Sequence, residues 1–283
     1  MIFFFLQVEL MENLFDCLCS LMLEVSNRER FLKGEGLQLM NLMLRYWLSS
    51  SALFNQKIIR EKKKSRSGAL KVLSHALTGA EGIDNCLKFI DILGLRTLFP
   101  LFMKTPKRSK RAGVSAEEHE DHVISILASL FKNVTSTNNG LKQRERLLAK
   151  WTENDHEKVD RLMEVHDKYL AKVEESDKAI DREVRMMAKD PEQEPLSDEE
   201  IYMKRLEGGL FCLQQVDYII LEICSCGAST VKQRVLQILS LRGGSLKTVR
   251  DVVREYAGNL GEEGEEHEKR GEQDYLVSLV DKF

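Results

Sequence analysis

Proline is scarce in this chain, with four in 283 residues, and runs of β-branched residues are few. Both shortages argue against a sheet protein, because strands favour β-branched side chains and turn-rich folds use proline freely. Long apolar runs are missing as well: no stretch reaches the roughly 18 residues that a membrane helix needs. The greasy start, "MIFFFLQVELMENLF", is interrupted by Glu9 and Glu12. It has neither a basic n-region nor a small-residue cleavage site, so it does not read as a signal peptide, and a soluble protein without a membrane partner is expected. An excess of one charge sign is also absent. Lys plus Arg number 42 against 45 Asp plus Glu, a net charge of -3. That balance excludes a general polyanion binder and confines any basic function to a local patch.

Catalytic signatures are missing too. "GEG" at Gly34 to Gly36 lacks the lysine and spacing of a phosphate loop, and no G-x-S-x-G occurs. "HEDH" (His119 to His122) is not H-E-x-x-H, since its acids lie between histidines three apart. It reads as the solvated start of a helix, with a metal as the lesser alternative. The pairs Cys17/Cys19 and Cys224/Cys226 are C-x-C, not the C-x2-C of a zinc ribbon. With Cys86 and Cys212 they read as buried free thiols, which suit the cytosol or nucleus. No catalytic residue, metal ligand or cofactor site is expected.

What is present is helix-forming sequence, rich in Leu, Met, Glu, Lys and Arg and 43% apolar overall. Val123, Ile126, Leu127, Leu130, Phe131 and Val134 form one helical stripe, opened by a capping box at Ser115 and Glu118. Val159, Leu162, Met163, His166, Tyr169, Leu170 and Val173 form another, on a helix starting near Thr152 or Asn154 and reaching about Lys189. This helix is charged in its later part and reads as a solvated outer helix, or alternatively a coiled-coil-like arm. "DPEQEPLSDEE" (Asp190 to Glu200), with two prolines and six acids, reads as a linker. Ser197 with Glu200 caps the next helix, which ends near Gly227. Further helices end at Gly243 or Gly244 and at Gly258, the last opened by Ser245. "GNLGEEGEEHEKRGE" reads as a flexible acidic loop before a final helix. Short helices with short connections and wide apolar faces are the pattern of stacked helical repeats, in which no unit buries its core alone. The fold class is therefore all-α: an armadillo-like right-handed superhelix, an α-α solenoid.

Four segments are expected. Residues 1–60 form an N-terminal helical segment with an atypical start, the least securely folded part. Residues 61–189 hold armadillo-like repeats ending in the long charged helix, 190–200 the acidic linker, and 201–283 C-terminal helical repeats. Two basic runs stand out. "KTPKRSKR" supplies Lys104, Lys107, Arg108, Lys110 and Arg111 between two helices, and "REKKKSR" covers Arg60 to Arg66. Each reads first as a solvated loop, then as an import signal or partner contact, then as a phosphate-backbone contact. Neither has interleaved aromatic residues for base stacking, which weakens direct RNA binding. Thr105, before Pro106, and Ser197, before three acids, are candidate phosphorylation sites.

"NRERFLKGEGLQLMNLMLR", "GLRTLFPLFM", "EEHEDHVISILASL", "WTENDHEKVDRLMEVHDKYL", "RLEGGLFCLQQVDYIILEIC" and "VKQRVLQILSLRGGSLKTVRDVVREYAGNLG" resemble, in order from about Met11 onward, the beta-catenin-like family of armadillo-type proteins. The similarity is to roughly the C-terminal half of that family. Met1 to about Gln7 matches nothing in it, and "YWLSSSALFNQKII" (Tyr46 to Ile59) is an insertion. The resemblance implies a nuclear, non-enzymatic scaffold that joins the spliceosome through the nineteen complex. It also implies binding of that complex's Myb-repeat splicing factor through a basic, import-signal-like segment of the partner, with RNA contact at most indirect. The acidic stretches Asp190 to Glu200 and Glu262 to Glu268 are the candidate counter-charges. Self-association into a homodimer stays open, and a direct RNA-binding module using the basic runs is the rival reading.

Overall fold

A chain dominated by good helix formers should resolve into helices joined by glycine and left-handed turns, and it does. The structure, a computed structural model, describes residues 2–48, 56–104, 116–135, 140–189, 194–260 and 266–283, and among these every regular element is helical. The chain divides into two compact units, Met1–Leu147 and Leu148–Phe283. The division falls at Leu147/Leu148, whereas composition and charge place boundaries at 60 and 190. Residues 1–60 share a unit with the helices up to Leu147, and the long charged helix shares one with the C-terminal helices.

The first unit contains α1 (Ile2–Leu21), α2 (Val25–Lys33), α3 (Gly36–Leu48), α4 (Gln56–Leu77), a short 3-10 turn (Ala80–Gly82), α5 (Ile83–Asp91), α6 (Leu95–Met103), α7 (Ala116–Thr135) and α8 (Leu141–Ala149). Its centre is α4, against which α1, α3, α5 and α7 pack. Leu70, Val72, Leu73, Ala76 and Leu77 of α4 are fully buried, too wide an arc for a helix with a single neighbour. Ile124, Leu127, Ala128 and Phe131 of α7 close the core from one side, and Leu37 and Leu44 of α3 are sealed as well. Of the stretch Tyr46 to Ile59, residues 49–55 lie outside the described residues. Helix α5 stops because Leu93 adopts φ 64 and Gly94 then donates its N–H to the Phe89 carbonyl at 2.9 Å. A Cβ on Gly94 would lie 2.5 Å from the Phe89 ring, so only glycine fits. Pro100 sits inside α6.

The second unit is built on α9 (Glu157–Met187), α10 (Asp198–Arg205), a π-helical segment (Leu206–Leu210), α11 (Phe211–Cys226), α12 (Ser229–Leu241), α13 (Leu246–Gly258) and α14 (Glu266–Asp281). Every side chain from Cys212 to Cys224 is buried, the polar Gln214, Gln215, Asp217 and Glu222 included, and α11 lies inside a cage of α9, α12, α13 and α14. By length and composition the run Asp198–Cys226 could cross a membrane, but 78% of its apolar window is buried in this core. The polypeptide enters α11 through a kink, at which Gly209 takes φ 117.

Several expectations need correction. Helix α9 starts at Glu157 rather than at Thr152 or Asn154, because Asn154, Asp155 and His156 all have left-handed φ values of 51, 52 and 66. It is no free arm: Val159, Leu162, Met163, Val165, Tyr169, Val173 and Ile180 are buried. The later part of the stretch expected as a flexible loop is helix, since Glu266 onward forms α14, which packs on α11 and α13, while residues 261–265 lie outside the described residues. Ser245 does stand at the start of α13, yet its side chain makes no capping hydrogen bond. All six cysteines are free, but only Cys19, Cys86, Cys212 and Cys224 are buried; Cys17 is exposed and Cys226 half-buried.

Candidate interaction surface

The polar side chains inside each unit hold helix ends and helix pairs together. In the first unit Asn133 of α7 reaches the end of α4. Its amide donates to the Leu77 and Gly79 carbonyls, both at 2.9 Å, and to Cys86 Sγ at 3.3 Å. The Cys86 thiol, itself donating to the Leu77 carbonyl at 3.4 Å, is pushed up to about 12 by burial. Asn85 donates to the Ala76 carbonyl at 2.9 Å, and Asn41 to the Ile92 carbonyl at 3.1 Å. Arg28 of α2 donates at 2.6 Å to the Met22 and Thr78 carbonyls. Apart from the Cys86 contact, these bonds go to carbonyls at or just beyond helix ends, where the intrahelical ladder runs out.

In the second unit the polar groups link α9 to its neighbours. His166 Nδ1 lies 2.6 Å from Asp217 Oδ1 on α11, and both side chains are buried. Burial pulls the imidazole down, but the Asp217 charge and hydrogen bond outweigh it, and His166 ends above its ordinary value. Arg234 of α12 grips Asp160 with two bonds of 2.7 and 2.8 Å, and Arg242 donates to Asp167 and to the Met163 carbonyl. Arg205 donates to Asp177 at 2.8 Å and to Glu255 of α13, while Lys204 meets Glu183 at 2.5 Å. Deep in the core Tyr218 donates to Glu222 at 3.0 Å, and Tyr275 of α14 donates to the same carboxylate. These residues are engaged with one another and lie within packed helices. Among the described residues, no three His, Cys, Asp or Glu side chains gather as a metal-holding group.

The basic runs separate. Lys104 is exposed at the end of α6, whereas Thr105, Lys107, Arg108, Lys110 and Arg111 lie outside the described residues. The run Arg60 to Arg66, expected as a loop, is part of α4, and Arg66 is only 4% exposed. Burial lowers its guanidinium to about 10. Its neighbour is His119 of α7, also buried, where burial first and then the charges of Arg66 and His122 push the imidazole down to about 4. The polar start of α7 is not solvated as expected; instead His119 and Glu120 turn inward. No sequence signal marks that choice, because "HEDH" is polar at every position.

The acidic stretches are not loops throughout. Asp198 to Glu200 form the first turn of α10 and Glu266 to Glu268 the start of α14. Ser197 caps α10 as its spacing predicts. The Glu200 N–H donates to Ser197 Oγ at 3.2 Å, and the Glu200 carboxylate accepts from the Ser197 N–H at 2.8 Å and hydroxyl at 3.0 Å. Those two bonds hold the Glu200 carboxyl below its ordinary value. Apolar surface is left on α1 and α3, where Leu10, Leu14, Leu21, Leu39 and Leu42 are each at least half exposed.

The sequence profile of the family described as "Catenin-beta-like, Arm-motif containing nuclear" matches residues 6–254. Beta-catenin-like protein 1 of Homo sapiens is 52% identical over 276 residues, covering 97% of this chain and 46% of the relative. The protein of the same name from Bos taurus is 52% identical over 277 residues, again 97% of this chain and 46% of the relative. The homolog from Schizosaccharomyces pombe is 30% identical over 274 residues, or 97% of this chain and 43% of the relative. The chain therefore spans under half the length of these curated relatives. With a family match over most of its length and two all-helical units of the architecture that the match implies, the chain belongs to the catenin-beta-like family of armadillo-motif proteins.

Proposed function

We propose that this chain is part of a nuclear protein-interaction scaffold that acts in pre-mRNA splicing in association with the nineteen complex. The observation that supports it most is the family match over residues 6–254, to an armadillo-motif family described as nuclear. Armadillo-type stacks are a non-enzymatic scaffold architecture: successive helices present side chains along one surface, and specificity comes from the order of those side chains. The partner we favour is the Myb-repeat splicing factor of that complex, bound through a basic segment. Acidic side chains on the scaffold would give that segment its on-rate and register by charge complementarity. Direct RNA binding is the lesser reading, since Arg66, counted among its contacts, is buried against α7.

The test is affinity capture of the chain's partners from nuclear extract, with and without ribonuclease, read by mass spectrometry. Nineteen-complex proteins should stay bound after ribonuclease. Loss of every partner on ribonuclease treatment would instead favour RNA tethering, and with it a binding affinity that falls steeply with salt. Charge reversal of Lys107, Arg108, Lys110 and Arg111 separates the roles of the basic run: unchanged nuclear entry and partner capture would reduce it to a connection.

A further inference from the structure

Ser197 stands where a modifying enzyme can reach it. It is exposed, its φ and ψ of -71 and 160 are those of extended chain, and residues 194–197 carry no regular structure. Three carboxylates follow it directly: Asp198, Glu199 and Glu200. Such a serine suits an enzyme whose substrate groove is basic, because charge complementarity steers that encounter. Helix α10 buries none of its residues, so its first turn can open onto an enzyme without uncovering core. The hydroxyl is also engaged: it donates to Glu200 Oε2 at 3.0 Å and accepts from the Glu200 N–H at 3.2 Å. Modification there alters a defined structural element rather than a bare surface.

We propose that Ser197 is a phosphorylation site for an acid-directed serine/threonine kinase, and that the phosphate dismantles the capping box and frees the first turn of α10. In the transfer, Ser197 Oγ attacks the γ-phosphorus of Mg-ATP. The Oγ–P bond forms as the bond from the bridging oxygen to the γ-phosphorus breaks. The electron pair leaves on ADP, and the hydroxyl proton passes to the kinase's base. The product has lost the O–H donor that Glu200 uses, and close to two negative charges now face that carboxylate. The helix N-terminus offers roughly half a positive charge in compensation. Against it stand the carboxylates of Asp198, Glu199 and Glu200, so repulsion prevails. The opening stops within α10, whose far end is held by Lys204 on Glu183 and by Arg205 on Asp177 and Glu255.

The experiment incubates the full chain with Mg-ATP and either an acid-directed or a base-directed kinase. Intact-mass and fragmentation spectra then locate the phosphate. The acid-directed enzyme is expected to modify Ser197. The rate should drop severalfold in the Asp198→Asn/Glu199→Gln/Glu200→Gln variant, and Ser197→Ala should remove the site. Phosphate found only at other residues, or equal modification by both kinases, overturns the assignment. Hydrogen exchange on the phosphorylated chain tests the second half. Faster exchange at Asp198 to Ile201, with Lys204 and Arg205 unchanged, is expected. Unchanged or slower exchange at Asp198 to Ile201 overturns the uncapping.

Discussion

At the scale of the residue, His119 is an imidazole with nowhere to place a charge. It is 2% exposed, and neither ring nitrogen meets a hydrogen-bond partner among the described residues. Its ordinary value of 6.5 falls to about 4 in the folded protein, so the folded state resists a proton that the unfolded state accepts. The sign comes from linkage: its contribution is present above pH 6.5 and is lost as the pH falls towards 4, up to about 3 kcal/mol. His75 and His122 are lowered by burial too and add in the same direction. His166 runs the other way, since its raised value contributes stability below pH 6.5 that is lost as the pH climbs through its folded pKa. The urea midpoint of the chain should therefore fall as the pH drops below 6.5, and His119→Gln should flatten that decline. A variant as acid-sensitive as the parent would refute the assignment to His119.

At the scale of the element, the passage from α10 into α11 depends on a glycine pair. A Cβ on Gly208 would collide with Ser176 Oγ and lie 2.5 Å from Ser176 Cβ on α9, so the missing side chain makes room for the serine. Gly208→Ala should cost about 1–3 kcal/mol in thermal or denaturant unfolding, the usual range for overpacking. Adding Ser176→Gly should recover part of the loss, because the clash is between those two side chains. In the first unit Asn133 plays a comparable part without glycine, tying α7 to the carbonyls at the end of α4. Asn133→Ala removes the amide donor from the Leu77 and Gly79 carbonyls, leaving Leu77 with the weaker Cys86 thiol and Gly79 with the Gly82 N–H. It should cost about 1–3 kcal/mol and speed amide exchange in the turn at residues 78–82.

At the scale of the whole molecule, each unit has its own core. A fragment of residues 141–283, which keeps α8 intact, should retain helical ellipticity and the blue-shifted emission of Trp151, a side chain with no exposed surface. Red-shifted emission would show that the second core needs the first. The helices and many of their ends were legible in the sequence, because caps and stops are local: Ser197 with Glu200, Gly227, and the turn at Gly243. What was illegible depends on neighbours distant in sequence. Nothing in "HEDH" tells which histidine meets Arg66, and nothing in "REKKKSR" places its last arginine against α7. The left-handed run Asn154–His156 displaced a helix start that periodicity alone set too early. The buried His166–Asp217 pair has a further consequence. Long helices packed through apolar faces, as α9 and α11 are, can slide past each other by one turn, about 5.4 Å, and still bury much of the same surface. Such a slide would strand both the imidazole and the carboxylate, so the pair acts as an alignment mark that admits a single register. Replacing both residues with leucine should leave stability nearly unchanged. The amide spectrum should nevertheless broaden, as the helices lose the one position that told them where to stop.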